Sequence, residues 1–454
     1  MSRIRLEWDV ESQRIDGSSR ESAAEKRRRR RAALALLALV LLLAASIALG
    51  LLFLRQRLLE IERQFAQLLQ DTVKAEMAAL RIGDLNSFLN IQNTEDANWL
   101  AGQQALFQQY GVLKSAGDID LPGNILDVTI DRDRARVLVQ ENIKDLPYVR
   151  LWFYRRSDEG WRHVAQDLSF WGEGHSLESS ALVVRYRDAD ELFARQVTDA
   201  LSAWLENGCE ILECAGLPPL SVDIAAEAAH EAAWLDQANM RLLIRSPYLD
   251  IARADYPFDG WRQLLVSKLL AERLVDAHTG YLKLSPFHDS HFLRASAIAW
   301  LSETFTRLDG GATLMRSLAA NYGADKIARL LSALTDSGDL SLVEQGINLS
   351  LGEADLDWRD FVLWRLNLEA QLMTARRQDE WLSLYDTADE SARLTAYERY
   401  RLNAPPTEVQ VVDASVAIGS DGSARLRASV QAAGDASAEI VLFNLVGGVW
   451  KRAN

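Results

Sequence analysis

The 454-residue chain is long enough for two or three domains, and its 48 % hydrophobic and 25 % charged residues exclude disorder except at the ends. Its formal charge of −14 is unevenly spread: residues 1–31 hold ten basic and six acidic side chains, net +4, which leaves −18 for the remainder. So acidic a body repels phosphate backbones, and a nucleic-acid partner is not expected.

Residues 1–31 read as a basic cytoplasmic tail. Lys26 and the five arginines that follow it stand directly before an apolar run that begins at Ala32 and ends at Leu54, 23 residues without a charge. At about 1.5 Å per residue this run matches the roughly 30 Å hydrocarbon core of a bilayer. A cleaved signal peptide and a buried core helix are the alternatives. The run is longer than a signal h-region, lies behind a polar leader and lacks a small-x-small cleavage site after it. A single-pass membrane helix is therefore expected, with the N-terminus cytoplasmic and the bulk of the chain outside.

Beyond the run, Leu58, Ile61, Phe65, Leu68, Leu69, Val73, Met77 and Leu80 recur at helical spacing and predict an amphipathic stalk. Such a stripe packs on its own domain, the commoner outcome, or against a second copy. Helical patterns continue to about Tyr110. The stretches ILDVTI, ARVLVQENI, VRLWFYRRS and WRHVAQDL then alternate apolar and polar residues, with turn signals between them. Residues 55–175 thus form a stalk and an α+β domain. This layout resembles the nuclear-transport-factor-like cone, in which helices close over a curved sheet.

Residues 181–372 are mostly helical after the strand patterns ALVVRYR, LSVDIAA and MRLLIRSPYL. Helices are predicted around residues 192–212, 261–277, 293–308, 314–334 and 358–375. Cys209 and Cys214, the only cysteines, lie near one of these helix ends, either paired or as two small buried thiols. Residues 374–454 repeat the first α+β pattern in shortened form. ARRQDEWLSLYDTADES, from Ala375, lines up loosely with ALRIGDLNSFLNIQNTED, from Ala79, and IVLFNLVGGVWKR with LWFYRRSDEGWRHV.

The phrases VVRYRDADELFARQVTDAL, AIAWLSETF and AANYGADKIARLLSAL give residues 181–372 a resemblance to the gluzincin, or peptidase-MA-like, metallopeptidases. The resemblance implies a helix carrying HExxH and a later W-L-x-E phrase that supplies a third zinc ligand. Here the motif positions fall on Ser267, Lys268 and Ala271, and only Glu303 of WLSET is retained. Ser and Ala do not replace imidazole, and Lys268 brings a cation where a carboxylate should activate water. Glu303 also has a plain structural reading, a helix carboxylate paired to Arg294, Arg307 or Lys268. Asp355 and Asp357 stand where they cap or complement a helix start. His278, His288 and His291 form a substitute ligand set by spacing, while His230 and Glu231 fall in a connection between strands.

The expected architecture is an α+β multidomain ectodomain, with a mostly helical gluzincin-like part between two cone-shaped domains and one transmembrane helix. No nucleophile elbow, phosphate-binding loop, dinucleotide fingerprint or CxxC pair occurs. The resemblance therefore implies a pseudopeptidase without a cofactor, a binding or scaffold protein whose outer domains take a peptide, protein or small-molecule ligand. Two other readings stay open: a membrane-bound metallopeptidase with unconventional ligands, and a transmembrane signalling protein. Ligand and oligomeric state are not legible.

Overall fold

The computed structural model describes residues 23–214, 216–402, 409–420, 422–432 and 437–454; most of the basic tail lies outside them. The chain divides into two compact units, Met1–Lys74 and Ala75–Asn454. The described part of the first is helix α1 (Ala23–Ile82), 60 residues long, whose last turns belong to the second unit. Leucine and alanine dominate its apolar half and no proline interrupts it, so nothing breaks the i to i−4 ladder. It is the one helix among the described residues long and apolar enough to cross a membrane.

The second unit is mixed α+β, with three sheets among its described residues. After α1 come α2 (Leu85–Ile91) and α3 (Ala97–Ser115). Asp84 caps the first, its Oδ1 accepting from Ser87 N, and Asp96 caps the second, accepting from the amides of Asn98 and Trp99. An antiparallel sheet follows: β1 (Ile119–Asp120), β2 (Ile125–Asp131), β3 (Arg134–Ile143), β4 (Leu146–Ser157) and β5 (Gly160–Val164). The β3–β4 turn places Lys144 and Asp145 at φ of 49° and 64°, as a two-residue hairpin turn matched to strand twist requires.

A second sheet follows, built from β6 (Gly174–Glu178), β7 (Leu182–Arg187), β8 (Leu220–Ala225), β9 (Ala232–Asp236) and β10 (Arg241–Arg245), in the order β6-β7-β8-β10-β9. Its three inner strands run parallel and both outer strands antiparallel. Helix α4 (Glu191–Leu212) makes the crossover from β7 to β8. The short β11 (Ala252–Arg253) leaves this region and pairs with β4 of the first sheet. Helices α5 (Gly260–Thr279), α6 (Asp289–Thr306), α7 (Thr313–Tyr322), α8 (Ala324–Ser332), α9 (Ser341–Ile347) and α10 (Arg359–Thr374) complete the middle of the chain. The single helix expected over residues 314–334 is two, because Gly323 turns the backbone at φ 100°.

The last region holds α11 (Gln378–Ser383), α12 (Glu390–Leu402) and the antiparallel strands β12 (Val409–Ile418), β13 (Ala424–Ala432), β14 (Glu439–Val446) and β15 (Val449–Arg452). One continuous buried cluster joins the second sheet, α5, α6 and α10 to Leu426, Phe443 and Trp450 of the third.

The first and last regions share a set of equivalent bonds. Asp84 N donates to Ala79 O, and Arg377 N to Leu372 O; Gln92 N donates to Leu89 O, and Tyr385 N to Leu382 O. Gly83 and Arg376 both adopt positive φ at the helix end. Asp389 receives the amides of Ser391 and Ala392 as Asp96 receives those of Asn98 and Trp99. In each region a residue just past the short helix also bridges the strand that ends the meander, Gln92 to His163 and Tyr385 to Arg452. The alignment that starts at Ala79 and Ala375 is therefore displaced by three residues: Ala79 corresponds to Leu372, and Gly83 to Arg376.

Candidate functional site

Helix α5 starts where Asp259 Oδ1 accepts Arg262 N at 3.0 Å and ends at Gly280, whose φ of 72° closes the last turn. Val266, Leu270, Ala271 and Leu274 form its buried stripe. Helix α6 packs against it, and Leu293, Ala297, Ile298 and Leu301 of α6 are buried. Ser267 lies fully buried on α5, with Oγ 2.6 Å from Ser302 Oγ on α6 and 3.0 Å from Leu264 O. Ala271, one turn on, is core with no polar atom to offer. Lys268, beside Ser267, is exposed. With Leu264, Glu272, Ile298, Ala299 and Ser302 it lines a groove of about 360 Å³ between the two helices.

Glu303 does not meet Ser267. Its Oε1 accepts the amides of Gly310 and Ala312, both at 2.8 Å, and its Oε2 accepts Arg316 Nε at 3.1 Å and Nη2 at 2.9 Å. The carboxylate therefore clasps the loop between α6 and α7. None of the expected partners is used. Arg294 turns to Asp276 and Glu272 instead, and Arg307 forms the left-handed end of α6. A hydroxyl held by a hydroxyl, a methyl group, a cation and a carboxylate saturated by three donor groups do not fit a zinc ion.

His278 contacts Leu212 O through Nδ1 at 2.8 Å, and Ala328 O at 3.0 Å and Ser332 Oγ at 2.8 Å through Nε2. It stitches the end of α5 to α4 and α8. His288 occupies the cap position of α6 and lines a polar cavity of about 430 Å³ with Asp289, Arg365 and Lys451. His291 lies in the first turn of α6, its imidazole held below the ordinary range by burial and by Arg294. Among the described residues no group of three His, Cys, Asp or Glu side chains is placed to hold a metal. His230 is exposed on the β8–β9 connection, and Glu231 beside it pairs with Arg245 and Arg262. Asp357, just before α10, accepts Arg359 N and pairs with the Arg359 guanidinium. Cys209 and Cys214 form a disulfide across the left-handed turn at Glu213 that ends α4.

Beside α5 runs β9, an outer strand that pairs only with β10 among the described residues. Trp261, in the first turn of α5, is 61 % exposed. An apolar groove and a strand edge with unpaired amides and carbonyls are the parts that receive extended peptides. The sequence showed no sign of this edge, since AAWLD is too short to read as a strand by itself.

Sequence reasoning also missed the buried carboxylates. Asp190 accepts from Trp171 Nε1 at 2.8 Å and from Ser246, and burial pushes its carboxyl up to about 6. Asp360 accepts from Ser296, Thr313 and Leu314 N, and burial likewise raises it to about 6. Glu76 holds Gln92 at 2.8 Å and His163 at 2.7 Å on Oε1, with Tyr154 at 2.7 Å on Oε2. Glu369 gathers Tyr385 and Arg452 on Oε2, and its buried Oε1 has no partner. A charged residue inside an apolar stripe, as Glu76 stands between Val73 and Met77, was the available signal.

No family model matches the chain, and no curated protein and no solved structure matches it either.

Proposed function

We propose that this chain is a membrane-anchored, extracytoplasmic binding protein, a non-catalytic relative of the gluzincin peptidases flanked by two nuclear-transport-factor-like domains. The observation that carries the reading is the contact between Ser267 and Ser302. Ser267, at one of the two positions where the resemblance would require an imidazole, is a buried hydroxyl satisfied by Ser302, while the groove beside it stays open. An extended peptide entering along β9 would gain main-chain hydrogen bonds from the strand edge and apolar contact from Leu264, Ile298 and Trp261. The basic block before the apolar run favours a cytoplasmic N-terminus, and the Cys209–Cys214 bridge suits an oxidising compartment.

The test uses the full chain in detergent micelles with a library of unstructured peptides and added zinc. Peptides bind and stay intact, and Leu264→Asp on the exposed rim of the groove weakens binding. Zinc-dependent cleavage overturns the reading in favour of an enzyme. Protection of the second unit from protease in sealed right-side-out vesicles overturns the orientation.

A further inference from the structure

The polar cavity at the start of α6 shares no lining residue with the groove between α5 and α6. Its volume of about 430 Å³ is within the range of small-molecule sites. The walls come from the first turn of α6, the loop at residues 337–339, α10 with α11, and β15. Ser290 Oγ, on α6, donates to Gly338 O at 2.5 Å and ties that loop to the helix start.

The lining carries opposite charges in equal number, Arg365, Arg377 and Lys451 with Asp289, Asp339 and Glu380. Arg377 and Glu380, both partly exposed, neutralise each other at 2.5 Å. Asp339 accepts Ser341 N at 2.9 Å, and Lys451 Nζ donates to Ser383 O. The inner pair is less well matched. Asp289 and Arg365 are 5 % and 3 % exposed, yet Arg365 Nη1 stands 3.7 Å from Asp289 Oδ1, too far for a hydrogen bond. Arg365 Nη2 donates to Trp450 O at 2.9 Å, while Arg365 Nε and Asp289 Oδ2 have no partner among the described residues. A buried carboxylate oxygen without a donor is costly, and in the wall of a cavity that cost is relieved by a donor that enters.

We propose that this cavity binds a free α-amino acid, whose ammonium donates to Asp289 Oδ2 and whose carboxylate accepts from Lys451. A lone anion would meet the unpartnered carboxylate oxygen, and a lone amine would meet Arg365 and Lys451. A zwitterion serves both signs and adds no net charge to a lining already in balance. Burial raises the Asp289 carboxyl above its usual range against the pull of Arg365, and burial together with Arg365 holds the Lys451 ammonium below its own. Each half of the ligand therefore favours the ionised form of the group it meets. Phe287, Leu372, Leu384 and Val449 supply apolar wall for the side chain of the amino acid. The site depends neither on the peptide groove nor on the membrane anchor.

Calorimetric titration of the full chain in detergent micelles, with each of the common α-amino acids in turn, tests this. At least one is expected to bind at one equivalent, while methylammonium and acetate, separately or together, give no binding at the same concentration. Asp289→Asn is expected to weaken that affinity about tenfold to a hundredfold. Lys451→Met, at a partly exposed position, is expected to weaken it in the same way and decides the matter should Asp289→Asn fail to fold. Lys268→Met, in the other groove, is expected to change nothing. No binding by any amino acid, equal binding of acetate or methylammonium, full affinity in Lys451→Met or a loss in Lys268→Met overturns the proposal.

Discussion

The regions that open and close the second unit share a frame and differ at its centre. Both have a helix ending in a left-handed residue, a short helix, an Asp-capped helix and antiparallel strands, and both bury a Glu sixteen residues before the residue that touches it. Around Glu76 the partners are an amide, a phenol and an imidazole, which serve both oxygens. Around Glu369 the partners are the guanidinium of Arg452 and the phenol of Tyr385, both on Oε2, and the other oxygen is left over. The reason lies in the register: Tyr154 stands opposite His163, and Phe443 opposite Arg452. Local capping fixes the frame, whereas each core selects its own way of neutralising one carboxylate.

The largest effect expected from this difference is that of Glu369→Ala, which strands a buried Arg452 and costs about 3–5 kcal/mol in denaturant unfolding. Glu76→Ala leaves only groups that can be neutral and should cost clearly less; equal losses would break the contrast. The middle region adds a third pattern, since Asp190 and Asp360 are hydrogen-bonded by neutral donors and are raised to about 6 by burial. A carboxyl raised above its unfolded value near 3.8 binds its proton more tightly when folded. Its contribution is complete below about pH 4 and is lost as pH climbs through 6, up to about 3 kcal/mol for each group. Subtracting an Asp360→Asn pH series from that of the unaltered chain should show this fall, and a difference that rises with pH contradicts it.

Tyr154→Phe copies the closing region into the opening one and leaves Glu76 Oε2 unpaired, at a cost of about 1–3 kcal/mol. The reciprocal Phe443→Tyr should stabilise by about 1 kcal/mol, by donating to Glu369 Oε1. A destabilised Phe443→Tyr with an unchanged fold would show that the two centres are not interchangeable in shape.

How much of this was legible depended on range. The hairpins around residues 158–159 and 447–448 and the helix starting near Trp261 were readable, because alternation, turn residues and helical spacing act over a few residues. Strand β6 was not, since GHSLE has no apolar face of its own and is ordered by pairing with β7. The candidate site failed at a finer scale. WLSET pointed to Glu303, yet Ser302 is what reaches Ser267, and about 100° of helix rotation separates neighbouring residues.

From the sequence alone came the helix long enough for a bilayer, the asymmetry of charge beside it and the α+β character. Each is a property of composition or of neighbours along the chain, and these survive any arrangement in space. Tertiary structure decided which face of α6 meets α5, that Glu303 closes a loop, that His278 braces helices, and which donors surround Glu76 and Glu369. Those outcomes depend on where helix axes and strand registers come to rest, and side chains distant in sequence acquire partners only once the whole core is packed.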